Sequence, residues 1–123
     1  MLRQIVYTSL VTCPLTPAAI ELLLLKARRA NALSDVTGLL IHSNSRFLQI
    51  LEGPNDAVVA LYAKIEEDKR HHSLRLIDDR HTAFRAYPDW QMAFEDNPNP
   101  NTNDVVLKSL IRMMNHIPID KVA

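Results

Sequence analysis

Two stretches of this chain repeat apolar residues at the i, i+3, i+4, i+7 spacing of a single helix face: Ile20-Leu23-Leu24-Ala27 and Val58-Leu61-Tyr62-Ile65. Around them lie short β-rich runs at 2–8, 36–42, 46–51, 73–82 and 90–94. The interleaving gives the order βαββαββ, an α+β arrangement of the ferredoxin-like kind with helices packed on a mixed sheet. The first strand ends near Tyr7. Thr16 is placed to cap a helix over 17–30 whose first residue is Pro17, where a missing N–H costs nothing. Leu22 and Leu25 broaden its buried face, and it frays near 29–31. Ser43, Asn44 and Ser45 join the second and third strands as a hairpin. Gly53-Pro54 stops the third strand, and Asn55 caps a second helix over roughly 55–68.

The tract DNPNPNTND at 96–104 is polar and rich in Pro and Asn, the composition of a linker. It divides the chain into a core, 1–95, and an appendage, 96–123. Asn103 or Asp104 caps a final helix that carries Val106, Leu110, Met113 and Met114. That helix is apolar nearly all round, so it packs on the open sheet face or at a homo-oligomer interface. The fold alone decides nothing about function.

Composition removes several function classes. The 123 residues hold 14 Lys+Arg and 14 Asp+Glu, a net charge of zero that argues against nucleic acid or an anionic membrane as partner. One cysteine, Cys13, forms no internal disulfide and suits a reducing, cytoplasmic compartment. Two glycines build neither a dinucleotide fingerprint nor a Walker loop. No Cys/His spacing suggests a metal, and His42, His81 and His116 stand isolated. Glu66-Glu67, followed by Asp68, Lys69 and Arg70, reads as a solvated charged face rather than an acid/base pair.

What remains is polar residues in apolar company. Gln49 sits within FLQIL, on a strand that is otherwise buried, and an unpaired buried amide costs ~1–3 kcal/mol. Something polar must face it, and Tyr7 on another strand is a candidate. Asn31 lies where the first helix is expected to end and reads equally as a C-cap.

Taken together, these residues resemble the BLUF family, blue-light sensors that use a flavin. The elements fall in order over residues 3–94: I-V-Y-T-S at 5–9, Asn31, V-T-G-L-L at 36–40, F-L-Q-I-L-E-G at 47–53, D-K-R-H at 68–71 and R-A-Y-P-D-W-Q-M at 85–92. The resemblance implies a flavin, FAD as the usual occupant with FMN or riboflavin as alternatives, lying between the two helices against Leu23 and Ile65. It implies that Asn31 pairs with the ring, and that Arg70 and His71 lie near the ring edge and ribityl chain. Lys64 and Asp68 either reach ribityl or phosphate oxygens or form a surface i,i+4 ion pair. It implies that Tyr7 and Gln49 are the photochemical pair: the phenol would supply an electron, the proton would follow through the amide, and Gln49 would end rotated or tautomerised.

Trp90 and Met92 alternate along the fifth strand, and the resemblance implies that one or the other lies beside Gln49. Ser9 matches the residue that bonds the indole when the tryptophan is inside. The resemblance implies that these three form the output relay. Tyr87 and Ala30 depart from the family pattern. The segment after the linker is too short for a fused enzyme, so the reading is a non-enzymatic sensor that signals to another chain.

Overall fold

The computed structural model describes residues 2–12, 15–43, 45–88, 92–96, 98–99, 101–103 and 108–112. Its elements are β1 (Leu2–Val11), α1 (Pro17–Ser34), β2 (Thr37–Ser43), β3 (Arg46–Pro54), α2 (Asn55–Glu67), β4 (His71–Thr82) and β5 (Ala93–Asp96). This is the expected βαββαββ order. The strands form one mixed sheet in the order β4-β1-β3-β2-β5. All neighbours are antiparallel except β5, which runs parallel to β2.

Successive side chains of the three central strands point to opposite faces, the two-residue period of a pleated sheet, and both faces are buried. Ile5, Val11, Leu40, Phe47 and Leu51 face one side, where Leu24 of α1 and Val58 of α2 cover them. Val6, Leu39, Ile41, Leu48 and Ile50 face the other, packed with Ile77, Tyr87 and Leu110. A sheet buried on both faces explains why β1, β2 and β3 read as nearly continuous apolar runs. Leu110 belongs to a short helical piece at 108–112. Residues 104–107 and 113–123, with the expected cap at Asp104 and with Val106, Met113 and Met114, lie outside the described residues. Among the described residues no helix is long and apolar enough to cross a membrane.

Thr16 caps α1 as expected, its hydroxyl accepting from the Ala19 N–H at 3.1 Å, with Pro17 in the first turn. Other boundaries differ. β1 continues to Val11 because β3 and β4 pair with it along almost its whole length. α1 runs to Ser34, past the expected end at 30, since no Gly or Pro interrupts it. It stops at Asp35, whose left-handed backbone (φ 57°) directs its N–H to the Asn31 carbonyl. Asn31 is therefore an interior helix residue and not the cap. Leu22 and Leu25 are 52% and 49% exposed, so they point away from the core rather than widening its face.

Asn55 is the first residue of α2, and its side chain does not cap that helix. Its Oδ1 instead accepts from Arg3 Nη1 and His81 Nε2, each at 3.2 Å. β5 begins at Ala93, so Met92 sits in a bend before the strand rather than within it. Gly38 is required by close approach: a Cβ there would stand 1.8 Å from the Ile50 carbonyl oxygen.

Candidate functional site

The site grows from one row of the sheet. Tyr7 on β1 pairs in register with Gln49 on β3, and Gln49 pairs with Leu40 on β2. Cross-strand partners share a face, so all three side chains rise on the helix side. The Tyr7 hydroxyl donates to Gln49 Oε1. With that oxygen committed, the amide nitrogen turns the other way and donates to Met92 Sδ at 3.5 Å. A thioether is a weak acceptor, so this contact satisfies little of the amide's two-proton donor capacity. Tyr7, Gln49 and Met92 are all buried. Burial pushes the Tyr7 pKa far above its ordinary value, and the Tyr62 hydroxyl and Asp68 carboxylate raise it further. Tyr7 is therefore a neutral O–H donor at any physiological pH.

Above this row, between α1 and α2, lies a cavity of about 220 Å³. Leu23, Ala27 and Ala30 of α1 face Leu61 and Ile65 of α2 across it. Leu40, Phe47, Tyr7 and Gln49 form its sheet side. Asn31, 1% exposed, brings a second primary amide to the same space. The charged residues at the cavity are Lys26, Lys64, Asp68 and Arg70, joined by His71. The structure thus brings together nine of the residues the sequence singles out: Tyr7, Leu23, Asn31, Gln49, Lys64, Ile65, Asp68, Arg70 and His71.

Two of these differ from expectation in their partners. α2 ends at Glu67, and the extended backbone of Asp68 carries its carboxylate to Arg70, not back to Lys64. Arg70 Nε lies 3.0 and 2.9 Å from the two Asp68 oxygens, and the Arg70 N–H donates to Oδ1 at 2.9 Å. These bonds hold the Asp68 carboxyl below its usual range and raise the Arg70 guanidinium. Lys64 has no partner among the described residues, so the i,i+4 pair does not form.

Ser9 bonds to His71, and the indole contact expected of it involves Trp90, a residue outside the described ones. His71 Nε2 lies 2.7 Å from the Ile65 carbonyl, and Nδ1 lies 2.7 Å from Ser9 Oγ. A carbonyl only accepts, so Nε2 carries a proton, while the Ser9 hydroxyl, able to donate or accept, serves Nδ1. Trp90 lies outside the described residues. Of the two residues expected beside Gln49, Met92 is the one the structure places there.

Sequence reasoning missed Lys26, Leu40, Phe47 and Leu61 as cavity residues. Strand parity with Gln49 marks Phe47, and the helical spacing from Ile65 marks Leu61. It also missed Glu52, fully buried on the opposite face of β3. Its carboxylate accepts the N–H groups of Ala86 at 2.7 Å and Tyr87 at 2.8 Å, tying the segment before Met92 to the sheet.

A family profile described as sensors of blue-light using FAD matches residues 2–93. The chain belongs to the BLUF family. Subunit beta of the photoactivated adenylate cyclase of Euglena gracilis is 37% identical over 92 residues, 74% of this chain and 11% of that protein. The chain therefore spans about a tenth of the length of that curated relative. A bacterial light-regulated adenylyl cyclase superposes with a TM-score of 0.82 at 29% identity, over 94% of this chain and 34% of its own. BlrP1 of Klebsiella pneumoniae, solved with FMN and cyclic diGMP, gives a TM-score of 0.75 at 26% identity, over 91% of this chain and 30% of its own. BLUF domains bind flavin, and the ferredoxin-like α+β fold of this chain is theirs.

Proposed function

We propose that this chain senses blue light through a flavin held between Leu23 and Ile65, with Tyr7 and Gln49 at its polar edge. The observation that carries this reading is the buried Tyr7–Gln49–Met92 row on the sheet side of the cavity. The residues present fit the group. Aliphatic side chains from both helices suit the flat faces of an isoalloxazine, while the Asn31 and Gln49 amides suit its edge of alternating donors and acceptors. Arg70, Asp68, Lys64 and His71 supply polar contacts for the ribityl chain and any phosphate. FAD is the occupant we favour, with FMN or riboflavin as smaller alternatives.

A bound flavin supplies the blue-light chromophore and, when excited, a strong one-electron oxidant. Tyr7 is the donor within reach. A phenol that gives up an electron becomes strongly acidic, and the Tyr7 proton has an acceptor in direct hydrogen-bond contact, Gln49 Oε1. When electron and proton return to Tyr7, the Gln49 amide is left turned or tautomerised. A turned amide no longer directs an N–H at Met92 Sδ and sets an oxygen against the sulfur instead. Met92 is thereby pushed from its place, and a local change of hydrogen bonding becomes a packing change that biases a two-state protein. No substrate is consumed and the chain itself is not an enzyme in this reading.

Ser9, Met92 and Trp90 carry the change outward. Residues 96–123 act as the output appendage over the core of 1–95, through a homo-oligomer contact or a downstream protein in the cytoplasm. The test is a visible spectrum of the FAD-supplemented protein, purified in dim light, before and after blue illumination. A flavin spectrum with a reversible red shift is expected. A protein that stays colourless refutes the flavin site, and a flavin spectrum unmoved by light makes the chain a light-independent binding domain.

A further inference from the structure

α1 presents two adjacent stripes to the interior. Leu23, Ala27 and Ala30 line the cavity, while Leu24, Arg28 and Asn31 follow one another at i, i+4 and i+7 on the neighbouring stripe. Leu24 and Asn31 are the buried residues of that helix, and Leu24 packs in the same apolar cluster as Met92. Arg28 stands between them, a charged side chain in a stripe that is otherwise buried. Its Nε donates to the main-chain carbonyl of Met92 at 3.1 Å. Met92 precedes β5, so its position is not set by the register of that strand, which begins at Ala93. The Met92 carbonyl is fastened to α1, and its thioether meets Gln49 Nε2 at 3.5 Å.

We propose that Arg28 is a positioning residue of the light switch: its bond to the Met92 carbonyl sets where the Met92 sulfur meets the Gln49 amide. The inference rests on the photoreceptor reading for its consequence and on the structure alone for its geometry. Glu52 adds a second anchor upstream, through the Ala86 and Tyr87 N–H groups. A backbone shift that carries Met92 away from Gln49 therefore strains or breaks its bond to α1, the helix that also forms one wall of the cavity. Arg28 couples the relay to that helix. An arginine suits this task because Nε is a fixed, always-charged donor, and a hydrogen bond from a charged group is stronger than a neutral one.

The test uses the FAD-loaded protein labelled with methyl-¹³C methionine. Four methionines give four methyl signals, and Met92→Leu assigns the one that matters. Arg28→Ala removes the bond while placing a better helix former on an exposed helix position, so folding is retained and a thermal melt verifies it. In the dark, the Met92 methyl signal is expected to move or broaden in Arg28→Ala. The return from the lit state should change by about tenfold, the factor that loss of a charged hydrogen bond implies. Arg28→Lys should restore the wild-type signal, because the lysine ammonium reaches one atom further along the chain than Nε and still donates. A Met92 signal that stays at its wild-type position in Arg28→Ala overturns the proposal. A wild-type protein that holds FAD but ignores light refutes the photoreceptor reading, and the dark spectra still judge Arg28.

Discussion

Replacing Tyr7 with phenylalanine removes one oxygen from a buried polar contact on the sheet side of the cavity. The ring stays in place against Tyr62, with which it packs edge-on at 5.8 Å between centroids. What is lost is the donor to Gln49 Oε1, and that acceptor becomes a buried group with no partner from Tyr7. Leaving such a group unsatisfied costs ~1–3 kcal/mol. For a domain of this size that corresponds to a fall in Tm of roughly 3–10 °C. The apolar walls and Asn31 are untouched, so FAD still binds and the protein stays yellow. With no phenol to give an electron and no hydroxyl proton to pass, blue light should leave the spectrum unchanged. Melts in the dark and light-minus-dark visible spectra read both effects. A double variant, Tyr7→Phe with Gln49→Leu, separates the bond from its parts. Removing both partners leaves nothing unsatisfied, so its cost should fall short of the summed single costs by about 1 kcal/mol. A Tyr7→Phe protein with a full-amplitude, reversible shift would refute the reasoning.

Asn31→Ala removes a buried amide from the cavity and should weaken FAD binding by ~1–3 kcal/mol, roughly 5- to 150-fold in Kd; an unchanged Kd by fluorescence titration takes Asn31 out of the site. Gly38→Ala places a methyl group 1.8 Å from the Ile50 carbonyl oxygen, against backbone that cannot yield without breaking the β2–β3 ladder. That variant should lose soluble, cooperatively melting protein, and a wild-type melt would contradict the packing account. Alkaline pH gives a third check, since the folded Tyr7 pKa lies above the unfolded value of 10.0. Above pH 10 the unfolded chain releases this proton while the native state keeps it. The contribution of Tyr7 to stability is thus fully present below pH 10 and lost as pH rises, at about 1.4 kcal/mol per pH unit. Urea melts between pH 9 and pH 11 should show that decline, and a flat profile would place Tyr7 in water.

The order of elements was legible because both helix stripes and the β-rich runs keep their periods cleanly. The ends were not. α1 outruns its expected limit because its last stripe residue, Asn31, is polar and buried, and polarity at that position mimics a helix end. W-Q-M-A-F has strand composition, which places the expected fifth strand two to three residues ahead of β5, whereas Met92 lies in a bend before the ladder and meets Gln49. The site was legible wherever a polar residue interrupts a buried run. Gln49 was found that way, and the same argument applied three residues on would have found Glu52. Partners were a different matter. Asp68 turns to Arg70 because the helix ends between Lys64 and Asp68, and Ser9 meets His71 because β1 and β4 lie side by side. Neither adjacency leaves a mark in the spacing. Arg28 is the extreme case: a charge on a helix reads as solvated until the structure places a carbonyl beside it.

The central claim is that the Gln49 amide is the element light rearranges, and Gln49→Leu tests it most directly. Leucine keeps the volume on the sheet side of the cavity while removing both the acceptor for Tyr7 and the donor to Met92. The measurement is the light-minus-dark visible spectrum of the FAD-loaded variant beside that of the wild type. The account predicts bound flavin in both proteins and a reversible red shift in the wild type alone. A Gln49→Leu protein that shifts and recovers like the wild type would contradict it.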